Sequence, residues 1–193
     1  RGAADALENT SGNSDVAGWL AGLPLGIKDL SDVAGVRTTY GTKGYADQIP
    51  RTSDTLVTRI EACGGIVIGK TNTPEFGAGA NTFNDVLGIT RNPWDTTLNA
   101  GGSSGGAAAS LVTGETWLSH GSDHGGSLRT PAGFCGIVGL RPSPGRVASD
   151  SDSAFMIESN DGPMARSVRD CALFLDTMAG FNPASPISYP ADQ

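Results

Sequence analysis

Three short stretches hold residues whose types and spacing can do chemistry. The first is Gly121-Ser122-Asp123-His124-Gly125-Gly126-Ser127-Leu128-Arg129. Ser127 follows two glycines, so no bulky neighbour shields its hydroxyl, and successive backbone N–H groups in such a turn can converge on one developing oxyanion. The second is Gly101-Gly102-Ser103-Ser104-Gly105-Gly106, which runs into an alanine-rich segment. Its serines sit where a helix N-terminus begins, a place suited to N-capping, to anion binding or to a hydroxyl held by backbone groups. The third is Lys28, at the end of the apolar run Leu23-Pro24-Leu25-Gly26-Ile27. Burying an ammonium disfavours its charged form, and a lysine brought toward neutral pKa serves as a general base. A serine–lysine scheme needs only these groups.

Other patterns read differently. Gly64 to Thr71 matches GxxxxGK[ST] letter for letter, but its variable positions contain the apolar Ile66-Val67-Ile68, and Asn-Thr-Pro-Glu follows where a phosphate-binding loop needs a helix. A nucleotide-binding protein is therefore the alternative from a different functional class. His120-x-x-Asp123-His124 has the spacing of a metal pair on a helix, but the surrounding glycines oppose a helix. Cys135 lacks a basic neighbour and reads as a small buried residue in a tight strand.

The elements that must position these groups alternate between strand and helix, which indicates an α/β fold. Residues 23–30, 66–68, 116–127 and 136–140 read as strands or as strands leading into loops. A helix capped by Thr52 or Ser53 carries Leu56, Val57, Ile60 and Cys63 at helical spacing and ends at Gly64-Gly65. Ser167 to Asp170 resembles a capping box, opening a helix with Val168, Cys171, Leu175 and Met178 on one face. Residues 1–20 read as a polar helical or loose lead-in, 73–102 as a long irregular region, and 181–193 as a proline-rich tail leaving the surface.

Composition bounds the rest. Of 193 residues, 28 are glycine, and the net charge is −7 with no basic run. Nucleic acid and acidic membrane surfaces are therefore disfavoured as partners. No apolar run is long enough to span a membrane. Three cysteines without close pairing fit reduced thiols in a cytoplasmic protein. The chain starts at Arg1 rather than methionine, which suggests a fragment or a processed chain.

Taken together, GLPLGIKDL, GKTNTPEFGAGANTFND, TRNPWD, AGGSSGGAAA, GSDHGGSLRTPAGFCGIVGLRPSPGR and DGPMARSVRD resemble the amidase signature family, from about residue 20 to 180. The resemblance implies an α/β fold with a mixed central sheet flanked by helices, of which residues 1–193 form the N-terminal catalytic portion of a single amidase domain. It implies amide hydrolysis through a serine acyl-enzyme and a Ser–cis-Ser–Lys triad. Ser127 is then the nucleophile, Ser103 the bridging serine after a cis peptide, and Lys28 the base. The N–H groups of His124, Gly125, Gly126 and Ser127 form the oxyanion hole, Gly77, Ala78 and Gly79 line the acyl pocket, and Ser104 supports the network. We read Asp123 and Arg129 as a pair that holds the loop. The implied partner is a small-molecule amide, with room for a homodimer, and no cofactor, metal or nucleotide is needed. The glutaminase component of a tRNA-dependent amidotransferase shares the triad and is the nearest alternative, although GAGANTFND looks more like stand-alone amidases. His124 departs from the small or apolar residue frequent there in relatives, and the chain is less than half the family's usual length.

Overall fold

A computed structural model describes residues 17–149 and 155–190. The expected lead-in over 1–20 therefore lies mostly outside the described residues. The chain forms strand β1 (Pro24–Lys28), helix α1 (Thr55–Ala62) and strand β2 (Ile66–Thr71). Four short strands follow: β3 (Phe83–Asn84), β4 (Gly88–Ile89), β5 (Arg91–Asn92) and β6 (Asp95–Asn99). Then come α2 (Gly105–Val112), β7 (Leu118–Asp123), α3 (Arg129–Cys135), β8 (Val138–Gly139), β9 (Asn160–Ala165) and α4 (Val168–Met178).

Five strands form one mixed sheet in the order β2-β1-β7-β9-β8. β1 runs parallel to β2 and β7, whereas β9 runs antiparallel to β7 and β8. Each face buries its own apolar cluster. On one face Leu25, Ile27 and Leu118 pack against Leu56, Val57 and Ile60 of α1 and Cys171, Phe174 and Met178 of α4. On the other, Met164 packs against Ala107, Ala108 and Leu111 of α2 and Leu128, Ala132 and Cys135 beside and within α3. Each large side chain so buried contributes roughly 1.5–3 kcal/mol. β1 and β7 thus lie inside a helix–sheet–helix sandwich, and the loops at their carboxyl ends carry the candidate chemistry.

The alanines and glycines of α2 let it approach the sheet closely. A Cβ on Gly106 would sit 2.7 Å from the Asn72 carbonyl oxygen, and the Gly106 N–H donates to that oxygen at 3.2 Å. In β1, a Cβ on Gly26 would lie 2.7 Å from Thr71 Cγ2 and 3.0 Å from Ser119 Oγ. Only glycine fits between strands that bring that methyl and that hydroxyl so close.

Several local expectations are corrected. The cap residue of α1 is Asp54, and Ser53 Oγ instead accepts the Ala34 N–H at 2.9 Å. Cys135 is buried at the end of α3 and not in a strand, because Gly136 at φ 70° ends a helix there and leaves a strand of two residues, Val138–Gly139. The irregular region holds two small antiparallel hairpins, β3–β4 and β5–β6. Half of the capping box forms: Ser167 Oγ accepts the Asp170 N–H at 3.1 Å, but the Asp170 carboxylate takes the Ser167 hydroxyl at 2.7 Å and not its backbone N–H, and Val168 is solvent-exposed. The tail packs back over residues 181–190: Asn182 and Ser185 are buried, and Gly145 abuts Ile187.

Candidate active site

β1 delivers Lys28 into the interior, where it is fully buried. Its Nζ donates to Ser103 Oγ at 2.6 Å and to Ser122 Oγ at 3.0 Å. Burial lowers the Lys28 pKa from 10.5 to about 7, against the opposing charges of Asp161 and Asp123. An amine that titrates near neutrality, hydrogen-bonded to a buried hydroxyl, can take that hydroxyl's proton.

Ser103 and Ser104 occupy the turn that starts α2. The Gly102–Ser103 peptide is cis. Thr82 threads this turn: its Oγ1 donates to the Gly101 carbonyl at 2.9 Å and accepts the Gly105 N–H at 3.0 Å. Ser104 is the N-cap residue of α2, but its side chain does not cap the helix. It reaches β7, donating to the Ser122 carbonyl at 3.2 Å and accepting the Ser122 N–H at 3.3 Å, while its own N–H donates to the Ser127 carbonyl at 3.2 Å. Ser104 therefore ties the two glycine-serine loops together.

Asp123, at the end of β7, organises the Ser127 loop. It is wholly buried and accepts from Gly126 N–H at 2.8 Å, Leu128 N–H at 3.0 Å, Arg129 Nε and Nη2 at 3.0 Å each, and Arg141 Nη1 at 3.0 Å. Burial alone would push this carboxyl up. The hydrogen bonds from Arg129, Leu128, Arg141 and Gly126 outweigh it and hold the group well below the usual carboxylate range. One expected oxyanion donor is thereby corrected, because the Gly126 N–H is already committed to Asp123. The N–H groups of His124, Gly125 and Ser127 meet no acceptor among the described residues.

These groups line one pocket of about 480 Å³, walled by Gly77, Ala78, Gly79, Ser103, Ser122, His124, Gly125 and Ser127, with Phe76 and Thr130 among the other lining residues. Lys28 and Ser103 are in direct contact. Lys28 lies behind the pocket wall, and Ser127 shares the pocket with Ser103 and Ser122; it is half-buried, and its hydroxyl makes no hydrogen bond to another described residue. Ser122 and Thr82 were not singled out in the sequence. Ser122 stands in the GSD segment and could have been noticed, whereas Thr82 carries no local signal. The phosphate-loop pattern is not a loop: its middle is β2, and Lys70 turns inward to Asp29 (3.3 Å), the Ser31 carbonyl (2.6 Å) and Thr38 Oγ1 (2.7 Å). Nor do His120 and His124 converge. His120 is buried against Asp161 and His124 is exposed at the pocket. No group of three or more metal-ligating side chains occurs among the described residues, and no helix among them is long and apolar enough to cross a membrane.

Known proteins supply the remaining comparison. The family model described as Amidase matches residues 1–192. The A-type component of the glutamyl-tRNA(Gln) amidotransferase of Moorella thermoacetica is 42% identical over 186 residues, 96% of this chain and 38% of that protein. A bacterial aryl acylamidase of the amidase signature family superposes with a TM-score of 0.90 at 36% identity, covering 100% of this chain and 41% of its own. A 6-aminohexanoate cyclic dimer hydrolase complexed with substrate superposes at 0.86 and 34% identity, covering 99% and 40%. The chain thus spans about two fifths of the length of these relatives.

Proposed function

The chain belongs to the Amidase family, and from that premise we propose that it carries the acyl-transfer machinery of an enzyme that hydrolyses carboxylic amides. The observation that carries this reading is the buried contact of Lys28 Nζ with Ser103 Oγ at 2.6 Å, beneath a pocket that Ser103 and Ser127 both line. Neutral Lys28 takes the Ser103 proton as Ser103 takes that of Ser127, and Ser127 Oγ attacks the amide carbonyl. The oxyanion rests on the free N–H groups of His124, Gly125 and Ser127. The relay returns the proton to the departing nitrogen, the C–N bond breaks, and an amine leaves behind a Ser127 ester. Water, deprotonated by the same relay, cleaves the ester to a carboxylic acid. No step draws on a cofactor. Gly77, Ala78 and Gly79 form the acyl wall, and Ser104, Asp123 and Arg129 hold the loops in register.

The single mixed sheet with helices on both faces supports reading this chain as the N-terminal catalytic part of one amidase domain. The net charge of −7 supports a small-molecule amide rather than nucleic acid as partner, and three free thiols support a cytoplasmic setting. The 42% identity to an amidotransferase component favours a second reading, a glutaminase that works with partner proteins. Dependence of ammonia release on ATP and on added partner proteins separates the two. The primary test is intact mass after exposure to a fluorophosphonate. One adduct is expected on the wild-type chain and none on Ser127→Ala. A folded wild-type chain that stays unlabelled, or a labelled Ser127→Ala, overturns Ser127 as nucleophile.

A further inference from the structure

Resting on that reading of Lys28 as base, the surroundings of its ammonium group assign work to two residues that the mechanism does not use. Two carboxylates act on Lys28 from the elements packed around it, Asp161 and Asp123, and a third, Asp29, is its neighbour in the chain. Asp29, next in the chain, pairs with Lys70 at 3.3 Å and accepts from the Thr39 N–H and hydroxyl. Asp123, from β7, is neutralised by Arg129 and Arg141. Asp161, from β9, has neither kind of cation. Its Oδ1 meets His120 Nε2 at 3.0 Å. The turn before α2 contributes only the hydroxyls of Ser103 and Ser104.

The register places Asp161 beside Lys28. Ser122 and Asp161 are directly opposed in the β7–β9 ladder, and Ser122 Oγ is the second acceptor of Lys28 Nζ, at 3.0 Å. Opposed side chains lie about 4.5–5.5 Å apart at Cβ. His120, two residues before Ser122, shares its face of the sheet. A carboxylate only accepts, so Nε2 carries the ring proton, and the buried Nδ1 is left without a partner. The imidazole thus tethers Asp161 through a single hydrogen bond.

We infer that Asp161, tethered by the buried His120, is a positioning residue for the proton relay, its carboxylate determining how readily Lys28 gives up a proton and hence where on the pH scale the relay switches on. The negative charge favours the ammonium form of Lys28 and opposes the effect of burial. Removing it makes Lys28 neutral at lower pH and moves the acid limb of the reaction the same way.

The test is the titration of Lys28 itself, followed by side-chain ¹³C–¹⁵N NMR of the lysine-labelled 193-residue chain, with the signal assigned by its loss in Lys28→Arg. Asp161→Asn is expected to lower the midpoint by about 0.5–1 unit, the effect of one nearby charge. His120→Leu lowers it less, because the untethered carboxylate turns toward solvent. His120→Gln keeps a donor near the Nε2 position and restores the wild-type midpoint. Asp85→Asn, removing an exposed carboxylate paired with Lys43, leaves it unchanged. A midpoint in Asp161→Asn within about 0.2 units of wild type overturns the proposal, being well short of the effect of one nearby charge, as does an equal fall in Asp85→Asn. Should Asp161→Asn not fold, the His120 pair decides: equal midpoints in His120→Leu and His120→Gln sink the idea. The pH profile of fluorophosphonate labelling is recorded alongside. If the Lys28 midpoint moves and the labelling profile does not follow, Lys28 is not the base of the relay, and that reading fails separately from the electrostatic one.

Discussion

Lys28 is the residue at which stability and chemistry oppose each other. Moving its pKa from 10.5 to about 7 is equivalent to about 5 kcal/mol. The unfolded chain binds one more proton than the folded chain between those two values, so this contribution to stability rises with pH. Below pH 7 both states are protonated and the full cost of the buried ammonium is present; above 10.5 it is gone. Lys28→Met removes the term. Wild type should therefore gain up to about 5 kcal/mol relative to Lys28→Met as pH rises across that window, read by denaturant unfolding at several pH values. A flat difference would mean the amine is not desolvated. The same variant should lose fluorophosphonate labelling by at least about 100-fold, the usual worth of a general base. Lys28 was legible in the sequence because a cation at the end of an apolar strand is anomalous. Thr82 and Asp161 were not, because ordinary polar residues gain meaning only when register brings them together, and Ser122, although it stands in the GSD segment, gains its role only through the same register.

At the scale of elements, two close approaches build the site. One is the docking of α2 onto Asn72, which sets the position of Ser103 and Ser104. Gly106→Ala forces a methyl against the Asn72 backbone, a contact with no flexible side chain to yield. It should cost about 1–3 kcal/mol by urea unfolding, in spite of alanine's better helix propensity, and slow labelling of Ser127. The other is the clamp of Asp123 on the 124–129 loop. Asp123→Asn leaves two guanidinium groups facing a neutral amide and should cost about 3–5 kcal/mol at pH 7. The Asp123 pKa is depressed, so its contribution is present above the ordinary carboxylate value and is lost as pH falls through the folded value. The gap between wild type and variant should accordingly narrow below about pH 4. The elements themselves were readable from apolar periodicity and glycine punctuation. α3 was not, because Thr-Pro-Ala-Gly-Phe-Cys has weak helical spacing and forms a helix only where Ala132 and Cys135 bury against α2. The small hairpins of 83–99 were hidden for a similar reason, since two-residue strands carry no detectable alternation.

For the molecule as a whole, the sheet's arrangement decides which strand edge is left unpaired among the described residues. β1, β7 and β9 are paired on both sides, whereas β2 is an edge with no strand on its outer side among the described residues. On it Ile68 is 53% exposed, within the β-branched run Ile66-Val67-Ile68, and Lys70, whose charge would blunt the edge, is turned inward to Asp29. An exposed apolar edge of this kind invites strand pairing between copies. The net charge of −7 opposes association at long range but is screened within about 8–10 Å at physiological salt, so it does not guard the edge once chains meet. Sedimentation velocity should show concentration-dependent association that strengthens with added salt. Ile68→Lys should shift the population toward monomer without changing the labelling rate of Ser127, because Ile68 is not among the residues lining the pocket. Association unchanged in Ile68→Lys would place the contact elsewhere on the surface, for which exposed Trp94 and Phe134, near each other through the Trp94 Nε1 bond to the Cys135 carbonyl, are the next residues to replace.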